Sequence, residues 1–323
     1  MPASPRDLPV WALAVASLRA GTPVALLCVV HSSGSSPGRQ GFKMAVTATG
    51  LAGSIGGGIM EHKFVELARQ RLLAGDFQPV LRPQIHRREA PADRSGMMCS
   101  GEQEVLLWPL AAADLPVAEG IVAALTLGDG SQLLLSAEAG LQLQHSPEPA
   151  AAFYDYQPGA AWCYRERLGF RDQVTIVGAG HVSLALSKTL ALLDFELTVL
   201  DNRPGLPTLE ANQAAHHRRV VSYEQAALEI PPGPSQYVVV MTVGYRTDAE
   251  VLRQLLGRPY RYLGVMGSAA KVAELRRGLL AQGFSAADVA RLRGPIGMPI
   301  HSQTPEEIAI SIAAELIQAR HSG

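Results

Sequence analysis

The chain has too few cysteines for a disulfide-built fold or a structural zinc site. Its 323 residues include three cysteines, Cys28, Cys99 and Cys163, and no two of them stand at the CxxC spacing of zinc ribbons and redox motifs. The nine histidines form no HExxH pattern either. Because the N-terminal residues do not resemble an export signal, we expect reduced thiols and a cytoplasmic location.

Charge is also scarce, and so are long apolar runs. Charged residues make up 18% of the chain and the formal net charge is −1, which argues against the basic surface of a nucleic-acid-binding protein. No apolar run reaches the length of a membrane span. We therefore expect neither a nucleic acid nor a membrane among the partners. Hydrophobic residues are abundant, at 47%, and suffice for ordinary globular cores.

The order of predicted strands and helices differs between the two halves of the chain. The first half mixes them irregularly, whereas the second alternates them in the βαβ manner that produces a parallel sheet covered on both faces. A proline-containing stretch over residues 144–158 separates the halves. We predict an α/β protein with a smaller N-terminal α+β domain at residues 1–160 and a Rossmann-type C-terminal domain at residues 161–323.

Apolar periodicity predicts the elements of the N-terminal domain. It indicates a loop over residues 82–96 and a hairpin turn at Asp129-Gly130. The predicted helices cover residues 11–20, 59–73 and 118–125, and the predicted strands cover residues 24–30, 43–47, 104–108 and 132–136.

The same patterning predicts the C-terminal elements. Thr304-Pro305-Glu306-Glu307 is a capping box with proline at the first helical position, so a last helix begins there. The other predicted helices cover residues 181–193, 249–256 and 269–282, and the predicted strands cover residues 174–177, 197–200, 237–242 and 262–266.

The turn Gly178-Ala179-Gly180 joins the first C-terminal strand to a helix that begins at His181. The first glycine permits a tight turn, and the second lets a phosphate approach the amides of the helix N-terminus. Asp201 closes the next strand, near the spacing at which an acid binds a ribose hydroxyl. His181 is expected to pack or cap rather than act as a base. The alternative is a Rossmann domain that keeps this turn and binds no dinucleotide.

A second glycine loop precedes the predicted helix at residues 59–73. Its backbone amides could cradle an oxyanion, and neighbouring hydroxyl and guanidinium groups would add donors. The alternative is tight strand-to-helix packing without a ligand, with the acid in the first helical turn acting as a cap. The candidate binding residues are Ser35, Arg39, Ser54, Gly56, Gly57, Gly58 and Glu61.

Cys99 lies in the segment Ser95-Gly96-Met97-Met98-Cys99-Ser100-Gly101. Glycines on both sides suggest a turned backbone that could present a thiolate for sulfur transfer or metal ligation. The alternative is an incidental loop cysteine. Cys28, within an apolar strand, is expected in the core.

Taken together, these segments resemble the XdhC/CoxI family, the accessory proteins of xanthine dehydrogenase and related molybdenum hydroxylases. Cys99-Ser100-Gly101 looks like the family's cysteine–glycine–glycine element, with Ser100 in place of one glycine. The resemblance covers nearly the whole chain. Its other segments are residues 34–44, 53–61, 177–182, 201–204, 264–268, 295–298 and 304–309.

The resemblance implies an accessory protein rather than a self-contained enzyme. Such a protein would bind the molybdenum cofactor, a phosphorylated pyranopterin dithiolene, support its sulfuration with a cysteine desulfurase, and deliver it to an apo-molybdenum hydroxylase of the xanthine dehydrogenase type. Cys99 would then contact molybdenum. We expect a homodimer as the default assembly.

Two other functions remain open from the sequence. An NAD(P)-binding oxidoreductase would use the Gly178 turn with Asp201, although no dehydrogenase catalytic set accompanies them. A scaffold that binds partner proteins and no small molecule would need neither Gly57 nor Cys99.

Overall fold

The computed structural model describes residues 2–85, 101–145 and 152–322. The chain folds into two compact units, Ser4–Gly169 and Phe170–Gly323, the second of which also includes Met1–Ala3. No helix in the described ranges is long and apolar enough to cross a membrane.

The N-terminal unit is an α+β arrangement of two antiparallel sheets. One sheet has the order β3-β2-β1-β5-β4 and the other the order β7-β6-β9-β8. The helices are α1 (Leu8–Arg19), α2 (Gly58–Leu73) and α3 (Leu115–Leu127). The strands are β1 (Val24–Ser33), β2 (Lys43–Val46), β3 (Leu51–Gly53), β4 (Val80–Ile85), β5 (Glu102–Leu110), β6 (Gln132–Ser136), β7 (Gly140–Gln144), β8 (Tyr154–Gln157) and β9 (Cys163–Arg167).

Strand β1 is the centre of this unit because both of its faces are buried. Successive side chains of a strand point to opposite faces. Val24, Leu26 and Cys28 pack with α1, α3 and the second sheet. Ala25 and Leu27, between them, pack with α2 on the opposite face. A seven-residue apolar run therefore serves two cores, and Cys28 lies in one of them as expected.

A buried ionic cluster joins α1, β2 and β9. The Lys43 ammonium donates to Asp7 Oδ2 at 2.6 Å and to Glu166 Oε2, and its side chain is fully inaccessible to solvent. The Tyr164 hydroxyl also donates to Glu166 Oε2, at 2.7 Å. Such a cluster is tolerated in a core only because each charge has partners.

The C-terminal unit is the predicted Rossmann-type domain, built on a parallel sheet with the order β12-β11-β10-β13-β14. The strands are β10 (Asp172–Val177), β11 (Phe195–Asp201), β12 (His217–Val220), β13 (Gly233–Val240) and β14 (Tyr260–Val265). The helices are α4 (His181–Leu190), α5 (Pro207–Glu210), α6 (Ala226–Glu229), α7 (Tyr245–Leu255), α8 (Ala269–Ala281), α9 (Ala286–Arg291) and α10 (Pro305–His321).

Helices cover both faces of this sheet, which confirms the predicted α/β fold. On one face α4 and α10 pack through Leu186, Leu190 and Ile312. On the other face α7 and α8 pack through Leu252 and Leu275. The predicted capping box is also confirmed, since the Thr304 hydroxyl accepts from the Glu307 amide at 3.2 Å and α10 begins at Pro305.

Three local expectations for the N-terminal half were wrong. Residues 82–85 belong to β4 rather than to a loop, because they pair with β5. Asp129-Gly130 joins α3 to β6 and is not a hairpin turn, since Gly128 ends the helix in the left-handed conformation. Tyr154–Gln157 within the expected linker is strand β8, which pairs with β9.

Candidate functional site

Three segments that are distant in sequence pack together in the N-terminal unit, and we call them the glycine-loop cluster: residues 34–39, residues 54–58 and Gly101. A Cβ atom on Gly38 would lie 2.2 Å from the Ile55 carbonyl oxygen, and one on Gly56 would lie 2.4 Å from the Gly38 amide nitrogen. A Cβ atom on Gly101 would lie 2.3 Å from the Ser36 nitrogen. Only glycine permits these backbone approaches.

The loop before α2 is held by Glu61. Its Oε2 atom accepts from the Ser54 hydroxyl at 2.6 Å, the Ile55 amide at 2.9 Å and the Gly57 amide at 3.0 Å. The Gly56 amide donates to the Ser54 hydroxyl at 3.1 Å. A carboxylate at a helix N-terminus is also favoured by the helix dipole. Ser54 and Glu61 are thus engaged in fixing the loop, which is the capping role that the sequence left open.

The start of α2 remains open on the side of Gly57. This residue is the N-cap, provides no capping side chain and has φ of +74°. Among the described residues, its two chain neighbours apart, no atom lies within 4 Å of the position where its Cβ would be. On this side a small anion could therefore approach the start of α2.

Ser35 and Arg39 lie at the exposed side of the same cluster. Arg39 donates from one guanidinium nitrogen to the Gly34 carbonyl at 2.8 Å, and its side chain is otherwise solvent-accessible. A guanidinium has five N–H donors, so this single bond leaves several for a ligand. The structure thus brings Ser35, Arg39, Gly56 and Gly57 into one cluster, with Gly58 as the first residue of α2.

Sequence reasoning missed a buried glutamine that supports the cluster. Gln103 lies in β5 and accepts from the Gly38 amide at 2.9 Å, while its own amide donates to Gln84. Both glutamines are buried. The available signal was Gln103 itself, one of the polar residues at the start of β5, directly after Gly101-Glu102. That pattern is equally typical of a solvated strand face.

Cys99 lies outside the described residues. In the sequence it precedes Gly101 by two positions, and Gly101 packs on Ser36. Within the described ranges, no group of three or more histidine, cysteine or acidic side chains could hold a metal ion.

The Gly178 turn lies at the carboxyl end of β10, where Rossmann domains bind their ligands. Gly178 has φ of +109°, and a Cβ there would lie 2.3 Å from the Met241 carbonyl oxygen. Gly180, the N-cap of α4, has φ of −74°, and its Cβ position has no atom of a described residue within 4 Å apart from its chain neighbours. His181 is exposed as the first residue of α4.

Asp201 is fully buried beneath this turn, and both of its oxygens are occupied. Oδ2 accepts from the Ala179 amide at 2.7 Å, and the Arg203 guanidinium donates to both oxygens at 2.8 and 2.7 Å. Burial would raise the pKa of Asp201, but the hydrogen bonds from Arg203 and Ala179 outweigh it and lower the pKa. A ribose hydroxyl would therefore have to displace Arg203.

A second polar group at the same end of the sheet was not anticipated from the sequence. Asp248, in the first turn of α7, is fully buried and accepts from the Thr242 amide at 3.0 Å and the Thr242 hydroxyl at 2.5 Å. It also pairs with Lys271 of α8. The available signal was an acid six residues after Thr242, the last residue of the strand predicted over residues 237–242. These contacts fix the loop after β13 beside the Gly178 turn.

Family models match both halves of the chain. A model described as the XdhC Rossmann domain matches residues 174–316, and the model of the XdhC and CoxI family matches residues 17–82. The chain belongs to the XdhC family. The family resemblance inferred from the sequence is thereby confirmed.

Individual relatives of this XdhC-family chain are distant. The uncharacterized protein YqeB of Escherichia coli K12 is 27% identical over 304 residues, which is 93% of this chain and 44% of YqeB. A probable xanthine dehydrogenase subunit of Bacillus subtilis 168 is 28% identical over 155 residues, 48% of this chain and 45% of that protein. The matches thus span less than half the length of either relative.

A solved structure shares the fold. It is a crystal structure of a xanthine dehydrogenase from Bacillus halodurans, with a TM-score of 0.70 and 21% identity over 96% of this chain and 95% of that chain. At this identity the likeness supports the architecture alone.

Proposed function

We propose that this protein is an accessory factor of a xanthine dehydrogenase-type molybdenum hydroxylase. It binds the molybdenum cofactor, supports sulfuration of the cofactor with a cysteine desulfurase, and delivers it to the apo-hydroxylase. The protein itself turns over no substrate. Membership of the XdhC family and the similarity to a probable xanthine dehydrogenase subunit support this client class.

The observation that carries the proposal is the convergence within the glycine-loop cluster. Two of its segments, residues 34–39 and 54–58, carry the resemblance to the family, and the third, Gly101, closes the cysteine–glycine element. Their contacts are backbone to backbone, as at Gly38 against Ile55 and at Gly101 against Ser36. Packing alone explains Gly38, Gly56 and Gly101. At Gly57 the positive φ requires glycine, and the space beside it is where an anionic ligand could reach the start of α2.

The residues of this cluster fit the chemistry of the cofactor. When bound, the molybdenum cofactor supplies an anionic phosphate and a molybdenum–dithiolene group. The first-turn amides of α2 from Gly58 onward, with Ser35 and Arg39, would hold the phosphate, since the Gly57 amide already donates to Glu61. Cys99 would contact molybdenum, since a thiolate is a soft ligand. Glu61 and Ser54 would act on the ligand only through the loop that they hold.

The test is the pterin content of the full chain purified anaerobically from cells that make the cofactor. Oxidised pterin is measured by fluorescence in the wild type, Arg39→Gln and Cys99→Ala. The matched controls are Arg165→Gln, an exposed arginine paired with Asp155 in the same unit, and Cys163→Ala. We expect bound pterin in the wild type, a loss of about tenfold in Arg39→Gln, which removes a charged hydrogen bond, and retention in both controls.

A second measurement separates binding from delivery. The purified protein is mixed with apo-hydroxylase and a cysteine desulfurase, and hydroxylase activity is followed. Wild-type protein without pterin that also fails to activate the hydroxylase would refute the proposal. Saturable binding of NADH or NADPH with no pterin would instead favour the oxidoreductase alternative. The Asp201–Arg203 pair argues against that result, because it occupies the carboxylate that a ribose would need.

A further inference from the structure

A pocket of about 590 Å³ lies along the edge strand β14, wholly within the C-terminal unit. Its wall is formed by β14, the residues that follow α7, the helix α9 with its C-terminal extension, and the last turns of α10. The Gly178 turn is not part of it. We call it the arginine pocket because four of its lining residues are Arg258, Arg261, Arg291 and Arg293.

Within the described residues, none of these four guanidinium groups forms an ion pair with a carboxylate. Arg258 donates to the Ala227 carbonyl at 2.9 Å, and Arg291 to the Tyr260 carbonyl at 3.3 Å. Arg261 donates to three carbonyl oxygens at the end of α10, those of Ala319, Arg320 and Ser322. Arg293 is exposed, and its side chain makes no hydrogen bond with a described residue. The positive charges of these four guanidinium groups are therefore not neutralised by a carboxylate within the arginine pocket.

The two acidic residues of the wall are already engaged. Asp288 accepts from the Ser285 hydroxyl at 2.6 Å, and Glu315 accepts from the Gly297 amide. Neither lies within ion-pair distance of an arginine of the pocket. Four positive charges thus face two carboxylates that serve other partners.

Tyr262 adds a buried hydroxyl to the same wall. The residue is 4% exposed, and the Glu315 carboxylate is the hydrogen-bond partner beside its hydroxyl. Burial, followed by the nearby Glu315 carboxylate, raises the pKa of Tyr262, while Arg293 lowers it. The hydroxyl therefore stays protonated at neutral pH, and Glu315 interacts with it rather than with an arginine of the pocket.

We propose that the arginine pocket binds a phosphate-bearing small molecule. The four guanidinium groups match the oxygens of a phosphate, which arginine can engage through two parallel hydrogen bonds. The volume falls within the range of small-molecule sites, roughly 300–1,000 Å³. This site is additional to the proposed cofactor site, because its lining residues belong to the other unit.

The test is titration calorimetry of the full chain with inorganic pyrophosphate, and with malonate as a dicarboxylate of similar charge. The variants are Arg293→Gln and Arg291→Gln. The control is Arg277→Gln, an exposed arginine of α8 paired with Glu274. We expect saturable pyrophosphate binding that each pocket variant weakens by about tenfold, with no change in the control and an unaltered melting temperature. Gly180→Ala should leave this binding intact.

No saturable pyrophosphate binding at millimolar concentration would overturn the inference. So would equal affinity in the wild type and in both pocket variants. Malonate binding as tight as pyrophosphate binding would overturn the preference for phosphate. Loss of pyrophosphate binding in Gly180→Ala with retention in Arg293→Gln would move the site to the Gly178 turn. None of these results depends on pterin content, so the two proposals fail separately.

Discussion

Gly178 and Gly180 belong to one turn, yet the fold requires glycine only at the first. Gly178 combines a φ of +109° with a Cβ position 2.3 Å from the Met241 carbonyl oxygen. Gly180 has a φ of −74°, and the part of the chain that the structure describes leaves its Cβ position free of contacts. Any residue could adopt the backbone of Gly180, so the absent side chain there leaves the start of α4 accessible to a ligand.

The corresponding prediction compares two single substitutions. Gly178→Ala should lower the free energy of unfolding by at least about 2 kcal/mol, because it adds steric overlap to an unfavourable backbone conformation. Gly180→Ala should change it by less than about 1 kcal/mol, since the conformation is compatible with alanine. Urea denaturation followed by circular dichroism measures both. Equal losses in the two variants would contradict the assignment of different roles.

At the scale of single elements, the buried cluster at Lys43 links α1, β2 and β9 through a carboxyl with an altered pKa. Burial raises the pKa of Glu166 from 4.5 to about 7, although Lys43 opposes the shift. The Asp7 carboxylate raises it further, and the Tyr164 hydrogen bond opposes it. The carboxyl has a pKa of 4.5 in the unfolded chain and of about 7 in the folded protein. Between these two pH values the folded state therefore binds more protons than the unfolded state. Stability therefore falls as pH rises through this window.

We expect this group to lower the free energy of unfolding by a few kcal/mol at most as pH rises from 4.5 to about 7. Glu166→Gln should remove that part of the pH dependence, because glutamine does not titrate. The control is Glu119→Gln, an exposed partner of Arg19, which should keep the wild-type slope. The measurement is urea denaturation at several pH values. A slope in Glu166→Gln that equals the wild-type slope would refute the interpretation.

Sequence patterning could predict those elements whose own residues determine their environment. The apolar run in β1 and the capping box at Thr304 are of this kind. Edge strands are different, because pairing with a neighbour decides them. All residues of His217–Val220 in β12 are exposed, and β4 contains Pro83, so neither shows the alternation of a half-buried strand.

The same distinction applies to the candidate site. Its glycines could be named from local turn chemistry, but the backbone contact that makes each one necessary comes from a distant segment. Gln103 illustrates this, since its role depends on an amide of Gly38. The engagement of Asp201 by Arg203 was also not deducible, because a strand-ending acid before an arginine is compatible with ribose binding.

At the scale of the whole molecule, the two units have separate hydrophobic cores. The clusters around β1 contain only residues of Ser4–Gly169. The clusters on the two faces of the parallel sheet contain only residues of Phe170–Gly323. Each unit therefore buries its own apolar surface, which is the condition for folding alone.

We predict that fragments 4–169 and 170–323 each unfold in a cooperative urea transition. A fragment without such a transition would show that its core is incomplete. The first fragment contains the whole glycine-loop cluster and Cys99. Fragment 4–169 should therefore carry pterin when it is made anaerobically in cells that produce the cofactor. If only fragment 170–323 carried pterin, the cofactor site would instead be assigned to the Gly178 turn. Gly180→Ala in the full chain would then abolish pterin binding.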